Sequence, residues 1–284
     1  MNPALLLALA SSLLFTTYYL YARVLSIKSG SPLSLSLIFS FFAALWSVPV
    51  LLFEPGKFSD LNWFVLGITF LATCFYGVAD AAQFYARKYL EASRQILIQQ
   101  FAVVVAVACS FIFLNEEMSF RKMLAVGLIV GGNIIALYKN KVVIMLKGLL
   151  FACVLALASG SAVVADKAVF SHYPVGFYML LMFGAPGLYI LCLFATTKEP
   201  LNCFTNEIKR TTWKLPFLTF FMVAGYYTFL KSLQIADLSF VSPIIYTSTI
   251  FTVLGGTIIL HERENVAQKI IGAILVFLGI LFIN

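Results

Sequence analysis

The chain has 284 residues, of which 62% are hydrophobic and 11% are charged, and its mean hydropathy is +0.98. Soluble domains carry about 25% charged residues, so this composition excludes an ordinary soluble protein and indicates an integral membrane protein. The formal charge of +7 comes from Lys and Arg residues scattered through short polar segments, a distribution that argues against nucleic acid as a partner.

Ten apolar segments follow one another along the chain. A membrane-spanning helix needs about 20 apolar residues, because the hydrocarbon core is about 30 Å thick. The segments are continuous, whereas a barrel strand would alternate in polarity over about ten residues, so the sequence predicts an all-α protein. In chain order the ten predicted spans are Pro3–Ala22, Leu33–Phe53, Trp63–Ala86, Ala92–Leu114, Met123–Tyr138, Leu146–Ala165, Pro174–Thr196, Leu215–Leu233, Phe240–Leu260 and Val266–Ile283.

The two halves of the chain repeat each other at an offset of 144 or 145 residues in their later parts and 148 in their first helices. The matched features, with the first-half member first, are Ala8–Ser11 with Ala156–Ser159, Arg87 with Lys231, Glu117 with Glu262, and Gly127 with Gly272. We therefore predict two five-helix repeats, residues 1–141 and 142–284. Because five is odd, the second repeat enters the membrane in the opposite sense to the first, which predicts an inverted repeat around a central cavity.

The third predicted span carries one polar stripe. Tyr76, Asp80, Gln83 and Arg87 occur at i, i+4, i+7 and i+11, which places them on one helical face. Charges inside hydrocarbon are costly, so this face is expected to line the cavity. Asp80 is a candidate for a proton-coupling carboxylate or for the partner of a substrate amine. In the alternative interpretation Arg87 reaches the membrane interface and Asp80 simply pairs with it.

Shorter polar stripes mark other spans. Tyr227 and Lys231 repeat the pattern in the eighth span, and a pair formed by Lys231 and Arg87 is a candidate anion site. Gln95 and Gln99 in the fourth span donate and accept hydrogen bonds without carrying a charge, which suits a polar or zwitterionic solute.

Hydroxyl-bearing residues form two further candidate stripes. Thr16 and Tyr19 lie on one face of the first span, and Ser242 and Tyr246 lie on one face of the ninth. These side chains either line the cavity or bond helices to each other and to their own backbone.

Four residues are assigned structural roles. Glu117 and Glu262 precede the fifth and tenth spans, where a carboxylate favours the positive N-terminal end of a helix. Gly127 and Gly272 permit a close helix approach, used either for internal packing or for a homodimer through the fifth and tenth spans.

The sequence contains no metal-ligand cluster, nucleophile motif or phosphate-binding loop, and its five cysteines are far apart. We therefore expect no catalytic residue, no metal and no cofactor. An enzyme or a receptor remains the alternative from another functional class.

The two segments that follow the fourth and ninth spans resemble those of EamA-type proteins of the drug/metabolite transporter superfamily. They read LNEEMSFRKMLAVGLIVGG from Leu114 and LHERENVAQKIIGAILVFLG from Leu260. The resemblance implies ten helices, with spans one to four and six to nine around the cavity and spans five and ten outside as supports. The family often has a proline early in the fourth and ninth spans; Pro243 fits, but Gln99 occupies the other position, which leaves a kink in the fourth span open.

Together these features predict a secondary or facilitative transporter of small polar metabolites, with amino acids and their relatives favoured. A carrier of anionic sugar conjugates or lipid-linked intermediates is the alternative. We expect a multi-pass protein of the cell (inner) membrane, whose partners are the solute and the lipid bilayer. Of its 19 Lys and Arg residues, 14 follow odd-numbered spans, which favours termini outside the cell, whereas the resemblance implies termini inside; both orientations stay open.

Overall fold

The computed structural model describes residues 3–54, 56–113, 119–137, 146–197, 201–236, 238–262 and 265–283, and within these ranges it is helical, without strands. Helices suit this composition because each satisfies its backbone hydrogen bonds within its own segment. The α-helices are α1 (Pro3–Ile27), α2 (Pro32–Phe53), α3 (Trp63–Tyr89), α4 (Ala92–Gln99), α5 (Phe101–Phe113), α6 (Phe120–Leu137), α7 (Leu146–Val169), α8 (Val175–Thr196), α9 (Leu201–Thr211), α10 (Lys214–Ile235), α11 (Leu238–Ile258) and α12 (Val266–Ile283).

Six stretches of the described chain are long and apolar enough to cross a membrane. They are Pro3–Ile27, Pro32–Phe53, Trp63–Tyr89, Ala92–Cys109, Leu146–Asp166 and Val175–Thr196. Three shorter apolar helical stretches are Met123–Ile135, Thr247–Ile258 and Val266–Phe282. The predicted all-helical membrane protein is thereby confirmed, whereas the count of ten spans stays a prediction.

Helix starts follow local capping rules. The Asn62 side chain accepts a hydrogen bond from the Val65 amide at 2.9 Å and begins α3. The Ser31 hydroxyl accepts the Ser34 amide in the same way at 3.1 Å, and Pro32 follows at the first position of α2. Both caps satisfy donors that the first turn of a helix leaves unpaired.

The fourth predicted span is interrupted although it lacks the proline. Its helix ends at Gln99 and resumes at Phe101, with the Gln100 amide bonded to the Leu97 carbonyl at 3.1 Å. The Gln100 side chain donates to the Thr249 hydroxyl of α11 at 2.9 Å. A polar side chain that bonds to the neighbouring helix thus accompanies the break.

The amphipathic helix α9 was not predicted, because its sequence reads as a polar connection. Its Glu207 is buried and accepts the amides of Gly30 at 2.6 Å and Ser31 at 3.2 Å. Arg210 pairs with the same carboxylate at 2.5 Å. The helix therefore fixes the connection between α1 and α2.

The main helix contacts join one half of the chain to the other. The helix α1 packs against α10, and α3 packs against α7. In the predicted repeat α7 corresponds to α1 and α10 corresponds to α3, so these two pairs are equivalent. The pairs α2 with α8 and α6 with α12 each join a helix to its own counterpart in the other half. Within the described residues, the pattern of contacts has the symmetry expected of two equivalent units.

Apolar side chains occupy both the interior and the outer surface. A core of Tyr18, Phe39, Phe84, Met179 and Leu215 joins α1, α2, α3, α8 and α10. Large apolar side chains also point outward, among them those of Phe53 and Trp63, which are 86% and 89% exposed. Such a surface is stable against lipid and not against water.

Candidate functional site

The polar stripe of α3 lies at the junction of the two halves, since α3 packs against α7, α8 and α1. Gln83 and Arg87 are buried, and Tyr76 and Asp80 are half-buried. The structure thus brings all four predicted residues of this helix onto one inward face. We call this face the polar track.

Asp80 and Arg87 are connected indirectly rather than as an ion pair. The Gln83 amide donates to Asp80 Oδ1 at 2.7 Å, the Tyr18 hydroxyl donates to Gln83 Oε1 at 2.8 Å, and Arg87 Nη1 donates to the Tyr18 oxygen at 2.9 Å. The expectation that Asp80 simply pairs with Arg87 is therefore wrong in its geometry. The two opposite charges face the interior with a chain of three hydrogen bonds between them.

Arg87 does not reach the interface, because its residue is only 1% exposed. Its guanidinium lies 4.7 Å from the Tyr18 ring centre and 5.4 Å from that of Phe84. Its buried atoms Nε and Nη2 have no hydrogen-bond partner among the residues that the structure describes. Arg23 donates a hydrogen bond to the Arg87 main-chain oxygen from the neighbouring α1. Two charged donors of Arg87 therefore remain available inside the protein.

The predicted glutamines adjoin this arginine through Tyr19. The Tyr19 ring centre is 5.7 Å from the Arg87 guanidinium, and its hydroxyl lies within hydrogen-bonding reach of Gln99. Gln95 Nε2 donates to Gln99 Oε1 at 3.1 Å. The structure thus brings Tyr19, Gln95 and Gln99 together at the Arg87 end of the polar track.

A second carboxylate lies at the other end of the track. Asp166 of α7 accepts hydrogen bonds from Tyr76 of α3 and from Tyr178 of α8, one on each carboxylate oxygen. Tyr226 of α10 stands within hydrogen-bonding reach of Tyr76. The cluster of Asp166, Tyr76, Tyr178 and Tyr226 thus draws on four helices, and we call it the tyrosine–carboxylate cluster.

Of the remaining hydroxyl candidates, the structure describes the side chain of Thr16. Thr16 donates to the Ser12 carbonyl at 2.8 Å within α1 and lies 3.5 Å from the Ser248 carbonyl of α11. These are helix-bonding contacts, in line with the second of the two interpretations given for this stripe. The side chains of Ser242 and Tyr246 are outside the described part of the structure.

Lys231 and Tyr227 of α10 both bind the carboxylate of Glu54, which follows the end of α2. Lys231 Nζ lies 2.6 Å from Glu54 Oε2, and the Tyr227 hydroxyl donates to Glu54 Oε1 at 2.6 Å. Burial opposes ionisation of Glu54, but the hydrogen bonds from Lys231 and Tyr227 outweigh it, so the pKa of this carboxyl falls below its usual value. The structure therefore does not combine Lys231 with Arg87 into a cationic pair.

Glu262 binds a helix N-terminus, but that of α4 in the first half of the chain. Its carboxylate accepts the amides of Ala92 at 2.8 Å and Ser93 at 3.2 Å, and the Ser93 hydroxyl at 2.6 Å. The prediction that it favours the N-terminus of the tenth span is corrected accordingly. Glu117 lies outside the described residues.

A buried lysine completes this end of the bundle. Lys269 of α12 has no exposed surface; it lies 2.8 Å from Glu91 and donates to the Glu262 carbonyl at 3.0 Å. Arg94 lies 3.2 Å from the same Glu91 carboxylate. These contacts fix the start of α4 to α12.

The close approach of α6 and α12 uses a glycine next to the predicted ones. A Cβ atom at Gly132 would lie 2.7 Å from the Gly272 carbonyl oxygen, so Gly272 takes part as expected. A Cβ atom at Gly127 or Gly131 would meet nothing within 4 Å. Gly127 therefore faces away from α12, and its role in internal packing is not as predicted.

An apolar pocket of about 540 Å³ opens between α3 and α8. Thr69 and Thr73 line it and bond to Tyr173 at 2.9 Å and to Tyr189 at 3.2 Å. Asp80 and Arg87 are not part of this pocket. The predicted central cavity around them stays a prediction.

Several residues that shape the site do not stand out in the sequence. Tyr18 and Tyr226 each precede a tyrosine of a predicted stripe, and one residue step turns a helix by about 100°, so the stripe pattern selects the wrong neighbour. Asp166 and the neighbouring Lys167 read in the sequence as a pair of opposite charges at the end of a span, which favours a structural or gating role over binding. Among the described residues, no cluster of His, Cys, Asp and Glu could hold a metal ion.

Comparisons with known proteins agree with this architecture. A family model described as the EamA-like transporter family matches twice, over residues 2–138 and 146–284. A solved structure titled "Crystal structure of protein" is similar, with a TM-score of 0.59 and 14% sequence identity; the match covers 98% of this chain and 97% of that chain. At this identity the likeness concerns the fold alone. No curated protein matches.

Proposed function

Because the chain belongs to the EamA-like transporter family, within the drug/metabolite transporter superfamily, we propose that it carries small polar solutes across the cell (inner) membrane by alternating access. In this proposal ten spans form two inverted repeats, and the polar track lines the cavity between them. The short connections leave no room for a separate soluble domain, and without a phosphate-binding loop the energy comes from solute or ion gradients.

The helix pairs support two equivalent units, and the odd number of spans in each predicted repeat makes their arrangement inverted. Exchange of the halves converts the pair α1–α10 into α7–α3. Two equivalent units that contact each other in this reciprocal way can rock about a shared site and open it to either side. In this proposal the residues of the polar track form that shared site.

The unsatisfied guanidinium of Arg87 is the observation that carries the substrate proposal. A buried Arg with two free donors is costly unless a ligand supplies acceptors, and a carboxylate binds such a fork with two parallel hydrogen bonds. Asp80, which has no ion-pair partner among the described residues, offers the complementary charge to an ammonium group. We infer that the solute is a zwitterion, an amino acid or a related compound, held between Arg87 and Asp80.

The anionic alternative has less support. A carrier of anionic sugar conjugates or lipid-linked intermediates would need a second cation, and the best candidate, Lys231, is neutralised by Glu54. The carboxylate of Asp80 would also repel an anion bound at Arg87.

Counterflow in proteoliposomes tests the proposal. Vesicles loaded with an unlabelled zwitterionic amino acid should accumulate the labelled solute transiently, which neither a membrane enzyme nor a receptor would produce. We expect Arg87→Gln to abolish the signal and Lys231→Gln to retain it. An anion carrier would lose the signal in both variants, and an absence of counterflow for every amino acid would contradict the proposal.

A further inference from the structure

The tyrosine–carboxylate cluster has no part in binding a simple zwitterion at Asp80 and Arg87. Both oxygens of Asp166 accept phenol hydrogen bonds, from Tyr76 and from Tyr178. These donors offset part of the cost of burying a charged carboxylate. Each oxygen keeps a further lone pair for another donor.

Among the side chains that the structure describes, no basic one compensates this charge, and the ion pairs involve other carboxylates; the side chain of Lys167, next to Asp166 in the chain, lies outside that part. Asp166, Tyr76 and Tyr226 are half-buried rather than sealed by their neighbours, while Tyr178 is fully buried. An ionised carboxylate among aromatic rings is the environment that binds an organic ammonium ion, through an ion pair and through the ring faces.

The cluster and the zwitterion site follow each other on α3. Tyr76 precedes Asp80 by four residues, a rise of about 6 Å along the helix. Along the polar track the protein therefore presents a cation at Arg87, an anion at Asp80 and a second anion at Asp166. The complementary solute carries a carboxylate, an ammonium group beside it and a second ammonium group farther along.

We propose that the tyrosine–carboxylate cluster binds the side-chain ammonium group of a diamino carboxylic acid whose zwitterionic end occupies Arg87 and Asp80. The inference rests on the proposed function and narrows its substrate class. Asp166 supplies the ion pair, Tyr76 and Tyr178 hold its carboxylate in place, and the Tyr226 ring and hydroxyl complete the pocket.

The test compares two ligands that differ in one group. L-Lysine and L-norleucine have the same zwitterionic end and similar length, but norleucine lacks the side-chain ammonium group and ends in a methyl group. Their dissociation constants for the purified full chain are measured by calorimetry. We expect Asp166→Asn to weaken lysine binding at least about tenfold and to leave norleucine binding unchanged. Tyr226→Phe should weaken lysine binding by about two- to fivefold.

Two sets of variants serve as controls. Glu54→Gln alters another carboxylate with a tyrosine donor and should leave both affinities unchanged. Arg87→Gln and Asp80→Asn should weaken both ligands alike, because both use the zwitterion site. If these two variants act as expected but Asp166→Asn weakens lysine no more than norleucine, the inference about the cluster fails and the proposed function stands. If neither Arg87→Gln nor Asp80→Asn changes either affinity, the proposed function itself fails.

A measurement on the unmutated protein covers the case in which Asp166→Asn does not fold. Dicyclohexylcarbodiimide modifies carboxyl groups in apolar surroundings, and mass spectrometry locates the adduct. Lysine should slow modification of Asp166 and norleucine should not. Equal protection by both ligands, or by neither, would overturn the assignment.

Discussion

Replacement of Arg87 by Gln tests whether this arginine binds the solute or only stabilises the fold. The variant loses the hydrogen bond to Tyr18 at 2.9 Å and the ring contact at 4.7 Å, together about 2 kcal/mol of folding free energy. It also removes two buried donors without partners, each of which costs about 1–3 kcal/mol. The second effect is at least as large as the first, so the free energy of unfolding should stay the same or rise by up to about 4 kcal/mol.

The effect on solute binding should be much larger. A carboxylate that accepts both free Arg87 donors gains about 3 kcal/mol from charge-assisted bonds, and each 1.4 kcal/mol is a factor of ten in affinity. We therefore expect Arg87→Gln to weaken binding of a zwitterionic solute by roughly 100-fold. Calorimetry gives the affinity, and denaturant-dependent unfolding in micelles gives the stability.

Arg94, near the start of α4, provides the matched control, since it is a buried arginine like Arg87. It lies 3.2 Å from Glu91, so Arg94→Gln breaks an existing ion pair. This variant should lose about 2 kcal/mol of stability and keep its affinity. If Arg87→Gln instead loses more than about 3 kcal/mol of stability and binds solute normally, Arg87 is structural and the reasoning is refuted.

Four further outcomes are expected. Asp80→Asn should weaken binding of a zwitterion by about tenfold and leave binding of its N-acetyl derivative unchanged, since only the ammonium form pairs with the carboxylate; equal loss for both would exclude that role. Glu262→Ala should lower the unfolding free energy by about 2–4 kcal/mol, because the amides of Ala92 and Ser93 lose their acceptor. A loss below about 0.5 kcal/mol would show that water replaces the carboxylate as acceptor. Gly132→Ala should destabilise the protein by about 1–3 kcal/mol through the contact with the Gly272 carbonyl, and Gly131→Ala, where the added Cβ meets nothing within 4 Å, should be neutral or stabilising. The folded-state pKa of Glu54 is lowered, so its ion pair stabilises the protein at a pH above the unfolded-state pKa. This stabilisation, less than about 1 kcal/mol for a partly exposed pair, is lost as the pH falls through the lowered folded-state pKa. Glu54→Gln should therefore lack this component when the unfolding free energy is measured against pH in acid.

The membrane helices were predictable because hydrocarbon imposes one simple requirement, a long apolar segment with internal hydrogen bonds. The inward face of α3 was predictable for the same reason, since its charged residues cannot face lipid. The amphipathic helix α9 was missed because a helix stabilised by polar anchors such as Glu207 has no apolar length signal.

Partners across the bundle could not be read from one sequence. Nothing near Asp166 in the chain indicates that phenols from α3 and α8 meet it. Glu262 was assigned to the helix that follows it, whereas its bonds go to α4, a choice made by the packing of two halves. Sequence spacing selects helical faces, and tertiary packing selects what each face meets.

The decisive measurement tests whether the polar track is accessible to water. The five cysteines, Cys74, Cys109, Cys153, Cys192 and Cys203, are first replaced by serine. In that background Asp80→Cys is compared with Val78→Cys, a position whose native side chain is 46% exposed on the outside of the bundle. A membrane-impermeant thiosulfonate should modify the cysteine at 80 and should leave the one at 78 unmodified. An unreactive cysteine at 80, with and without solute and from either side of the membrane, would contradict a solute pathway along α3.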